Sequence, residues 1–499
     1  MRSLRGPAAP SPQPNPGAGG GAGSTGRTGL RAQADAGTGG PAGVAPMRSL
    51  RRPAAAPPKP RPGAGGGADG IGQGNRTGPS APDPEPAILN PVRLGPPIAY
   101  ALFTVAAAVF VALGAPAGPR TKFSLSSPTD FIDLPDFAVP ARPAATALAV
   151  VMAALTLLAF HAALNRRKVG VWLPSLFGLA WVRSFMVWVI AGKSSTWTIP
   201  ALLAASLALS IPLVFGSMTG LVCERVGVIN VAIEGQLLAG AFLGAVVASA
   251  VGSAYAGLLA APLAGALVGA LLAVFAVKYW VDHIIVGVVL NVLVTGLTSY
   301  LLTTVLTANQ SLNRSMQLPK LPIPLLGDIP VLGPVLFRQS ILVYLMYGLV
   351  IGLNVMLFRS RWGLRMRACG EFPQAADTVG IKVNRTRIRN TILGGAIAGL
   401  GGAFFTVEMG LAFSKEMSAG KGFIALAAMI LGRWNPKGAL AAALLFGFAG
   451  ELAQMMGTMS TPIPSNILLM VPYVLTILAV AGLVGRVRAP AAEGTFYKS

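Results

Sequence analysis

The sequence predicts an all-α polytopic transmembrane helical bundle, with about ten to twelve membrane segments and a disordered N-terminal tail. Of the 499 residues, 53% are hydrophobic and only 11% are charged, whereas a soluble domain carries about 25% charged residues. From residue 98 onward, apolar runs of about 20 residues, the length that crosses a bilayer, follow one another. The net charge of +22 is carried by the tail and by short loops between these runs, so it does not indicate a nucleic-acid partner.

Residues 1–96 consist mainly of Pro, Gly, Ala and Arg, with almost no aromatic or β-branched residues. Such a composition cannot bury enough apolar surface to fold. A stretch that begins at Met1 recurs from Met47, but neither copy contains an element that could stack on the other. No apolar segment follows the basic start, as a secretory signal would require. We therefore expect a disordered cytosolic extension; the alternative is a tether whose basic residues bind anionic lipid headgroups.

The apolar runs divide the remaining chain into N-terminal transmembrane helices over 97–195, a transmembrane core over 196–485 and a cytosolic C-terminal tail over 486–499. The candidate spans are 98–114, 144–164, 171–191, 199–219, 228–251, 255–276, 284–306, 340–358, 391–411, 421–432, 438–457 and 466–484. The 421–432 run is too short for a full crossing. We expect half of a re-entrant or broken helix there.

Lys and Arg residues in the short loops predict the orientation, because cytosolic loops carry an excess of them. The basic tail, the loop after the second span and the densely basic 359–389 segment fall on one side. Further cations fall on the same side if the short 421–432 run crosses, namely Arg433, Lys437, Arg486 and Arg488. The Pro- and Leu-rich 307–338 segment then falls on the other side. The sequence therefore predicts a multi-pass protein of the plasma membrane with both termini in the cytosol.

One apolar stretch, GLVCERVGVINVAIEGQLLAGAF at 220–242, carries polar residues at membrane depth, namely Asn230, Glu234 and Gln236. An acidic side chain at mid-membrane costs roughly 2.5–3.5 kcal/mol, so it usually faces a protein interior or a water-filled cavity. In a continuous helix, Asn230 and Glu234 would share one face. Gly227 and Gly235 bracket the pair and would allow a break or close packing. These residues either line a polar path through the membrane or make hydrogen bonds to a neighbouring helix.

A second polar stripe is formed by Asn291, Thr295 and Ser299, which lie four residues apart in the 284–306 span. Hydroxyl side chains in membrane helices often donate to the carbonyl four residues back, and that is the alternative to a path role. The candidate path residues are Asn230, Glu234, Gln236, Asn291 and Thr295. A path lined by amides, hydroxyls and one carboxylate suits a neutral polar solute.

The cytosolic loop at 361–389 contains the start and stop signals of a short helix. Pro373 suits the first turn of a helix, the next four residues are compatible with one, and Gly380 supplies the stop. A helix this short is poorly stable alone, so we expect it to dock against a partner. The alternative, a solvated basic loop, explains the arginines but not the helix signals.

The sequence lacks motifs for enzymatic chemistry or metal binding. The GKS triplet at 192–194 resembles the end of a phosphate-binding loop, but Val187 stands where that motif requires Gly. His161 and His283 have no further histidine or carboxylate at metal-ligand spacing. The two cysteines lack a C-x-x-C partner. No metal site is predicted.

Three stretches, in their expected order, resemble permeases of ABC transporters of the branched-chain amino acid and simple-sugar type, most closely the nucleoside-transport branch. The first is the 220–242 stretch quoted above. The second, GLRMRACGEFPQAADTVGI at 363–381, resembles that family's cytosolic coupling segment. The third is GKGFIALAAMILGRWNPKGALAAALLFG at 420–447. The resemblance covers about residues 170–485 and leaves the tail outside it.

The resemblance implies a membrane subunit of an ATP-driven importer, for nucleosides or related simple sugars, that works by alternating access. ATP and Mg²⁺ would be used by a separate ABC ATPase subunit, so no cofactor and no catalytic residue is expected in this chain. The other implied partners are the lipid bilayer, a second permease subunit that is a different chain, and an extracytoplasmic substrate-binding lipoprotein. The implied ATPase coupling loop comprises Gly370, Glu371, Pro373, Gln374, Ala375, Ala376, Asp377 and Gly380.

Two residues of the coupling segment depart from the family pattern. Gln374 stands where an acidic residue is common before the alanine pair, and Phe372 stands where Asn is frequent. These departures argue against a charged contact with the ATPase at these two positions. They leave the predicted helix unaffected.

Two other classes of function are left open by the residues alone. A proton-coupled secondary transporter would use Glu234, Glu408 or Glu451 as its proton carrier, but the coupling-like loop would then have no purpose. Glu408 and Glu451 lie near the outer ends of their spans, where an interfacial position is the default. The third class is a membrane scaffold whose basic tail binds lipid or nucleic acid.

Overall fold

The computed structural model describes residues 94–114, 120–126, 134–167, 170, 172–190, 197–458, 470 and 489–498. The predictions for the tail up to residue 93, and for the last span apart from residue 470, concern residues outside this part. Among the described residues, eight helices are long and apolar enough to cross a bilayer. The predicted all-α, multi-pass fold is confirmed.

Three helices precede the core and pack on one another. They are α1 (Gly95–Gly114), α2 (Ala141–Leu164) and α3 (Trp172–Ile190). Their contact is apolar and includes the buried side chains of Met152 and Leu173. Three short strands form a sheet of order β2-β1-β3, with β1 antiparallel to β2 and parallel to β3. The strands are β1 (Arg120–Ser124), β2 (Phe137–Pro140) and β3 (Trp197–Thr198).

The core contains ten further α-helices and one strand pair among the described residues. The helices are α4 (Ile199–Glu224), α5 (Ile233–Val251), α6 (Ala254–Ala273), α7 (His283–Leu301), α8 (Ile341–Arg359), α9 (Arg361–Glu371), α10 (Pro373–Thr378), α11 (Val383–Ala403), α12 (Lys421–Leu431) and α13 (Pro436–Thr458). Wider helical turns extend α6 to Lys278, α7 to Leu306 and α11 to Met409. Strands β4 (Lys320–Pro322) and β5 (Arg338–Ser340) pair antiparallel between α7 and α8.

Helix α4 lies at the centre of the core. Every residue from Ser210 to Glu224 is buried, and α4 packs against α11, α12 and α13. A helix that is apolar on all sides is expected in such a position. Helix α7, in contrast, exposes a row of aliphatic side chains that includes Ile285, Val289 and Val292. That face of α7 suits contact with lipid.

Two predicted span boundaries were wrong for the same reason. The predicted 228–251 span begins only at Ile233, because residues 225–232 are not helical. The predicted 391–411 span begins earlier, at Val383. Hydropathy measures how apolar a window is and contains no information on backbone geometry. The predicted span therefore included the last residues of the non-helical 225–232 segment, and the other prediction omitted the polar first turns of α11.

The predicted half-helix is confirmed as α12, which has 11 residues. At about 1.5 Å per residue it is roughly 16 Å long, about half of the hydrocarbon thickness. The segment between Gly410 and Gly420 leads into it. Helix α12 thus begins inside the bundle and ends near Trp434.

Glycines permit the close contact of α6 and α11. Gly265 and Gly269 of α6 lie along the side that faces α11, together with Ala261. A methyl group added at Gly265 would overlap the carbonyl oxygen of Gly395. Small residues at four-residue spacing let membrane helices approach closely, and here the backbones are in contact.

We expect Gly265→Val to prevent correct packing of α6 on α11. Overpacking a core costs about 1–3 kcal/mol even when side chains adjust, and a backbone carbonyl has less room to move. The measurement is the yield of monodisperse protein and its thermal midpoint in detergent. Gly296→Val is the matched control, because nothing lies within 4 Å of an added Cβ at Gly296. Equal yield and midpoint for both variants would contradict this packing.

Candidate functional site

The chain leaves its helical path between α4 and α5, over residues 225–232. Gly227 has a φ of +90°, in the left-handed region that favours glycine. A Cβ there would lie 2.8 Å from Nη2 of Arg387 and 2.9 Å from the carbonyl oxygen of Ala492. Both the backbone angle and the crowding require glycine, so the break is built into the sequence.

Glu234, in the first turn of α5, joins this break to the half-helix α12. Its Oε1 accepts hydrogen bonds from Oγ of Ser418 at 2.6 Å and from the N–H of Gly420 at 2.8 Å. Its Oε2 accepts one from the N–H of Gly422 at 2.6 Å. The N-terminal ends of α5 and α12 therefore meet at one carboxylate. Helix N-termini carry partial positive charge and bind anions, and the Lys421 ammonium adds an attractive charge.

Two buried amides hold the non-helical segment in shape. The Asn230 amide nitrogen donates to Oε1 of Gln236 at 3.0 Å, and its oxygen accepts from the N–H of Ala232 at 3.1 Å. Asn291 of α7 accepts from the N–H of Gly235 at 2.8 Å and donates to a carbonyl oxygen of the break at 2.9 Å. The backbone groups that lack helical partners thus find side-chain partners instead.

The prediction that Asn230 and Glu234 share a helical face was wrong. Asn230 lies in the non-helical segment and Glu234 lies in α5. Four-residue spacing places two side chains together only in a continuous helix. The left-handed Gly227 and the amide bonds of Asn230 end that continuity before α5 begins.

The structure brings four of the five candidate path residues together around the break: Asn230, Glu234, Gln236 and Asn291. Gln236 is fully buried, and its Nε2 has no hydrogen-bond partner among the described residues. Thr295 lies one turn further along α7 and is half-buried. Whether these residues contact a solute stays a prediction.

Glu408, at the end of the α11 extension, lies beside the segment that connects α7 to α8. Its Oε1 accepts from Oγ of Ser340 at 2.8 Å, and its carbonyl oxygen accepts from the Gln317 amide at 3.2 Å. This segment contains the 307–338 stretch that the sequence places outside the cell. Glu451 is half-buried on α13.

The predicted short helix of the basic loop is present as α10, Pro373–Thr378. Pro373 occupies its first turn, and Gly380 follows it with a φ of +81°. Ala376 packs against Cys369 of α9 and Val383 of α11, where burial raises the pKa of the Cys369 thiol. The coupling-loop residues on the exposed side of α9 and α10 are Glu371, Gln374, Ala375 and Asp377. This arrangement leaves one face of α10 free to bind a partner.

Gly370 connects the α9–α10 pair to the helix break. A methyl group at Gly370 would overlap the carbonyl oxygen of Arg225, so the backbones of α9 and the break are in direct contact. Arg225 in turn donates to the Trp434 carbonyl oxygen at 2.6 Å, next to the end of α12. The α9–α10 pair is therefore in contact with the break, and the break is in contact with the C-terminal end of α12.

The C-terminal segment 489–498 packs on this contact, which sequence reasoning missed. The N–H of Ala492 donates to the Gly370 carbonyl at 2.8 Å, and the N–H of Gly494 donates to the Gly227 carbonyl at 3.1 Å. The Glu493 carboxyl hydrogen-bonds to Glu224, and burial raises the pKa of Glu493. The sequence shows only a short polar tail after the last apolar run, and nothing in it signals docking.

Arg387 holds the C-terminal segment, the break and α11 together. It is 1% exposed and donates to the carbonyl oxygens of Val226 at 3.0 Å and Thr495 at 2.7 Å. In the sequence it is one of many cations in a basic loop. Its burial distinguishes it from its neighbours Arg385 and Arg389, which are exposed.

We expect Arg387→Met to destabilise the protein and release the C-terminal segment. The variant removes the donor to three carbonyl groups, those of Val226, Thr495 and Ala492. A buried polar group left without a partner costs about 1–3 kcal/mol. The thermal midpoint should fall, and limited proteolysis should remove the C-terminus. Lys437→Met, at an exposed cation, is the control and should leave both measurements unchanged. A protease-resistant C-terminus in Arg387→Met would contradict the role of this arginine.

Comparisons with known proteins agree with this architecture. The model of the family described as branched-chain amino acid transport system / permease component matches residues 202–480. The guanosine ABC transporter permease protein NupQ of Bacillus subtilis is 38% identical over 307 residues, which are 59% of this chain and 95% of that protein. The nucleoside ABC transporter permease protein NupC of Lactococcus lactis is 40% identical over 308 residues, 60% of this chain and 97% of that protein.

A second Lactococcus lactis protein, the nucleoside ABC transporter permease protein NupB, is 36% identical over 93 residues, 18% of this chain and 26% of its own length. No solved structure matches the chain. The matched family region begins within α4 and contains the helix break, the coupling loop and α12. The chain therefore belongs to the permease family of branched-chain amino acid transport systems and is a multi-pass membrane permease subunit of an ABC importer.

Proposed function

We propose that this permease imports nucleosides. The observation that carries this proposal is the match to NupQ and NupC, which extends over 95% and 97% of those proteins. The polar groups around the break are amides, one carboxylate and the hydroxyl of Ser418. Such groups suit a neutral solute that offers several hydroxyl and amide groups, as a nucleoside does.

The proposed power source is a separate ABC ATPase subunit that binds the exposed face of α10 and uses ATP and Mg²⁺. Three features of the structure support this coupling between the ATPase and the membrane helices. Pro373 and Ala376 are buried, so α10 is anchored to α9 and α11. Gly370 touches the break, and the break leads to Glu234. We infer that movement of α10 changes how the N-terminal ends of α5 and α12 are arranged around Glu234.

The proposed assembly includes a second permease chain and an extracytoplasmic substrate-binding lipoprotein. NupC and NupB are two different permease proteins of one organism, which supports a pair of unlike permease chains. The basic 359–389 segment and both termini are proposed to be cytosolic. The proton-coupled alternative is not favoured, because the similar proteins are named as ABC transporter permeases.

Uptake in a deletion strain tests the substrate. Cells that lack this chain, with and without a plasmid copy, are given labelled guanosine, adenosine, uridine, ribose or leucine. The plasmid should restore accumulation of at least one nucleoside, and unlabelled nucleosides should compete while ribose and leucine should not. Restoration of ribose or leucine accumulation without any nucleoside accumulation would overturn the proposed substrate class.

A further inference from the structure

A basic groove lies beside α10, outside the contacts described so far. It has a volume of about 610 Å³ and is bounded by α9, the turn after α10 and the first turns of α11. Five cations line it: Arg361, Arg365, Lys382, Arg385 and Arg389. We call these five residues and the space between them the cationic groove.

The cationic groove carries positive charge without acidic partners. None of its lining residues is acidic, and within the described part of the chain the ion pairs lie elsewhere, at Arg338–Asp328 and Lys415–Glu416. All five cations are exposed. Like charges gathered in one cleft create a strong field for an anion. The general excess of Lys and Arg in cytosolic loops does not by itself explain why five cations line the same groove.

The position of the cationic groove indicates a ligand at the membrane surface. Helix α8 ends at Arg359 and α11 begins at Val383, and both helices are candidate spans. The groove therefore lies where two helices leave the bilayer. Its lining also includes Leu364, which is 62% exposed, and the half-buried Trp362, and Trp is typical of the headgroup level.

We propose that the cationic groove binds the phosphate headgroup of an anionic phospholipid of the adjacent leaflet. Four of the five cations are arginines, whose planar guanidinium groups pair with phosphate oxygens through two parallel hydrogen bonds. Basic pockets between transmembrane helices are known to hold anionic headgroups. Leu364 provides an apolar surface for the start of the acyl chains. The bound headgroup bridges α9 to α11 and so stabilises the two helices on which α10 packs.

The test measures lipid binding by the purified full-length chain in neutral detergent. Native mass spectrometry and a fluorescence titration follow short-chain phosphatidylglycerol, phosphatidylcholine and inorganic phosphate. We expect retention of phosphatidylglycerol over phosphatidylcholine, with no competition from millimolar phosphate. The double variant Arg385→Gln/Arg389→Gln should lower phosphatidylglycerol affinity by about tenfold or more, since it removes two charge-assisted contacts.

Matched controls separate charge loss, misfolding and other occupants. Arg166→Gln/Arg167→Gln removes the same charge from exposed positions after α2 and should bind phosphatidylglycerol as the wild type does. Arg361→Gln/Arg365→Gln probes the opposite wall and keeps the test valid if the first double variant aggregates. Wild-type phosphatidylglycerol affinity in both groove variants would overturn the proposal. So would displacement of phosphatidylglycerol by millimolar inorganic phosphate. If the groove variants bind lipid as the wild type does but no longer co-purify with the ATPase, the groove is a binding surface for the ATPase instead.

Discussion

Replacing Glu234 by alanine is expected to impair uptake strongly while the protein still reaches the membrane. The carboxylate accepts hydrogen bonds from Ser418, Gly420 and Gly422, and alanine leaves these donors without an acceptor. Each such donor costs about 1–3 kcal/mol when it is buried. The start of α12 should then lose its fixed position against α5. Labelled-nucleoside uptake, normalised to the amount of protein in the membrane, should fall by about tenfold or more.

Two further variants distinguish the Glu234 contact from general disturbance of the loop. Glu416→Ala changes an exposed glutamate in the segment before α12 and should transport normally. Glu234→Gln keeps one acceptor oxygen and should give an intermediate result. Wild-type uptake by Glu234→Ala would show that the meeting of the two helix ends at this carboxylate is not needed for transport.

The second large effect is expected at the exposed face of α10. Ala375→Trp places an indole on the surface proposed to bind the ATPase, without altering Pro373 or Ala376, which anchor the helix. The ATPase should no longer co-purify, and ATP-dependent uptake should be lost. Both are measured on affinity-purified complexes and on membrane vesicles.

The control for Ala375→Trp is Asn165→Trp, at an exposed position after α2. It tests whether a bulky residue elsewhere on the surface has the same effect. The thermal midpoint of the Ala375→Trp chain should stay near that of the wild type, because the added side chain points to solvent. Normal recovery of the ATPase with Ala375→Trp would remove α10 from the proposed interface.

Local signals predicted the short elements of the site. Pro373 and Gly380 gave the start and stop of α10, and the shortness of the 421–432 run indicated a half-helix, which is α12. These two short helices are determined by residues within or next to them, so the local sequence is enough to predict them. Composition and apolar length likewise sufficed for the multi-pass fold.

Contacts between distant parts of the chain could not be predicted in the same way. Polarity singled out Glu234 in the sequence, but its partners lie 184 to 188 residues further along the chain. Arg387 looked like any other loop cation, because only the folded chain shows that it is buried beneath residues 489–498. The break before α5 depends on the left-handed Gly227 and on amide bonds across helices. The spacing of residues along the chain does not show which distant residues come into contact.

Reconstitution into vesicles tests the central claim, that this chain provides the membrane path while a separate ATPase provides the energy. Purified chain alone, with a proton gradient and labelled nucleoside, should show no accumulation above the outside concentration. The complex with its ATPase, partner permease and binding protein should accumulate the nucleoside when ATP is supplied at the ATPase. Accumulation by the chain alone, abolished by an uncoupler and independent of ATP, would contradict this account.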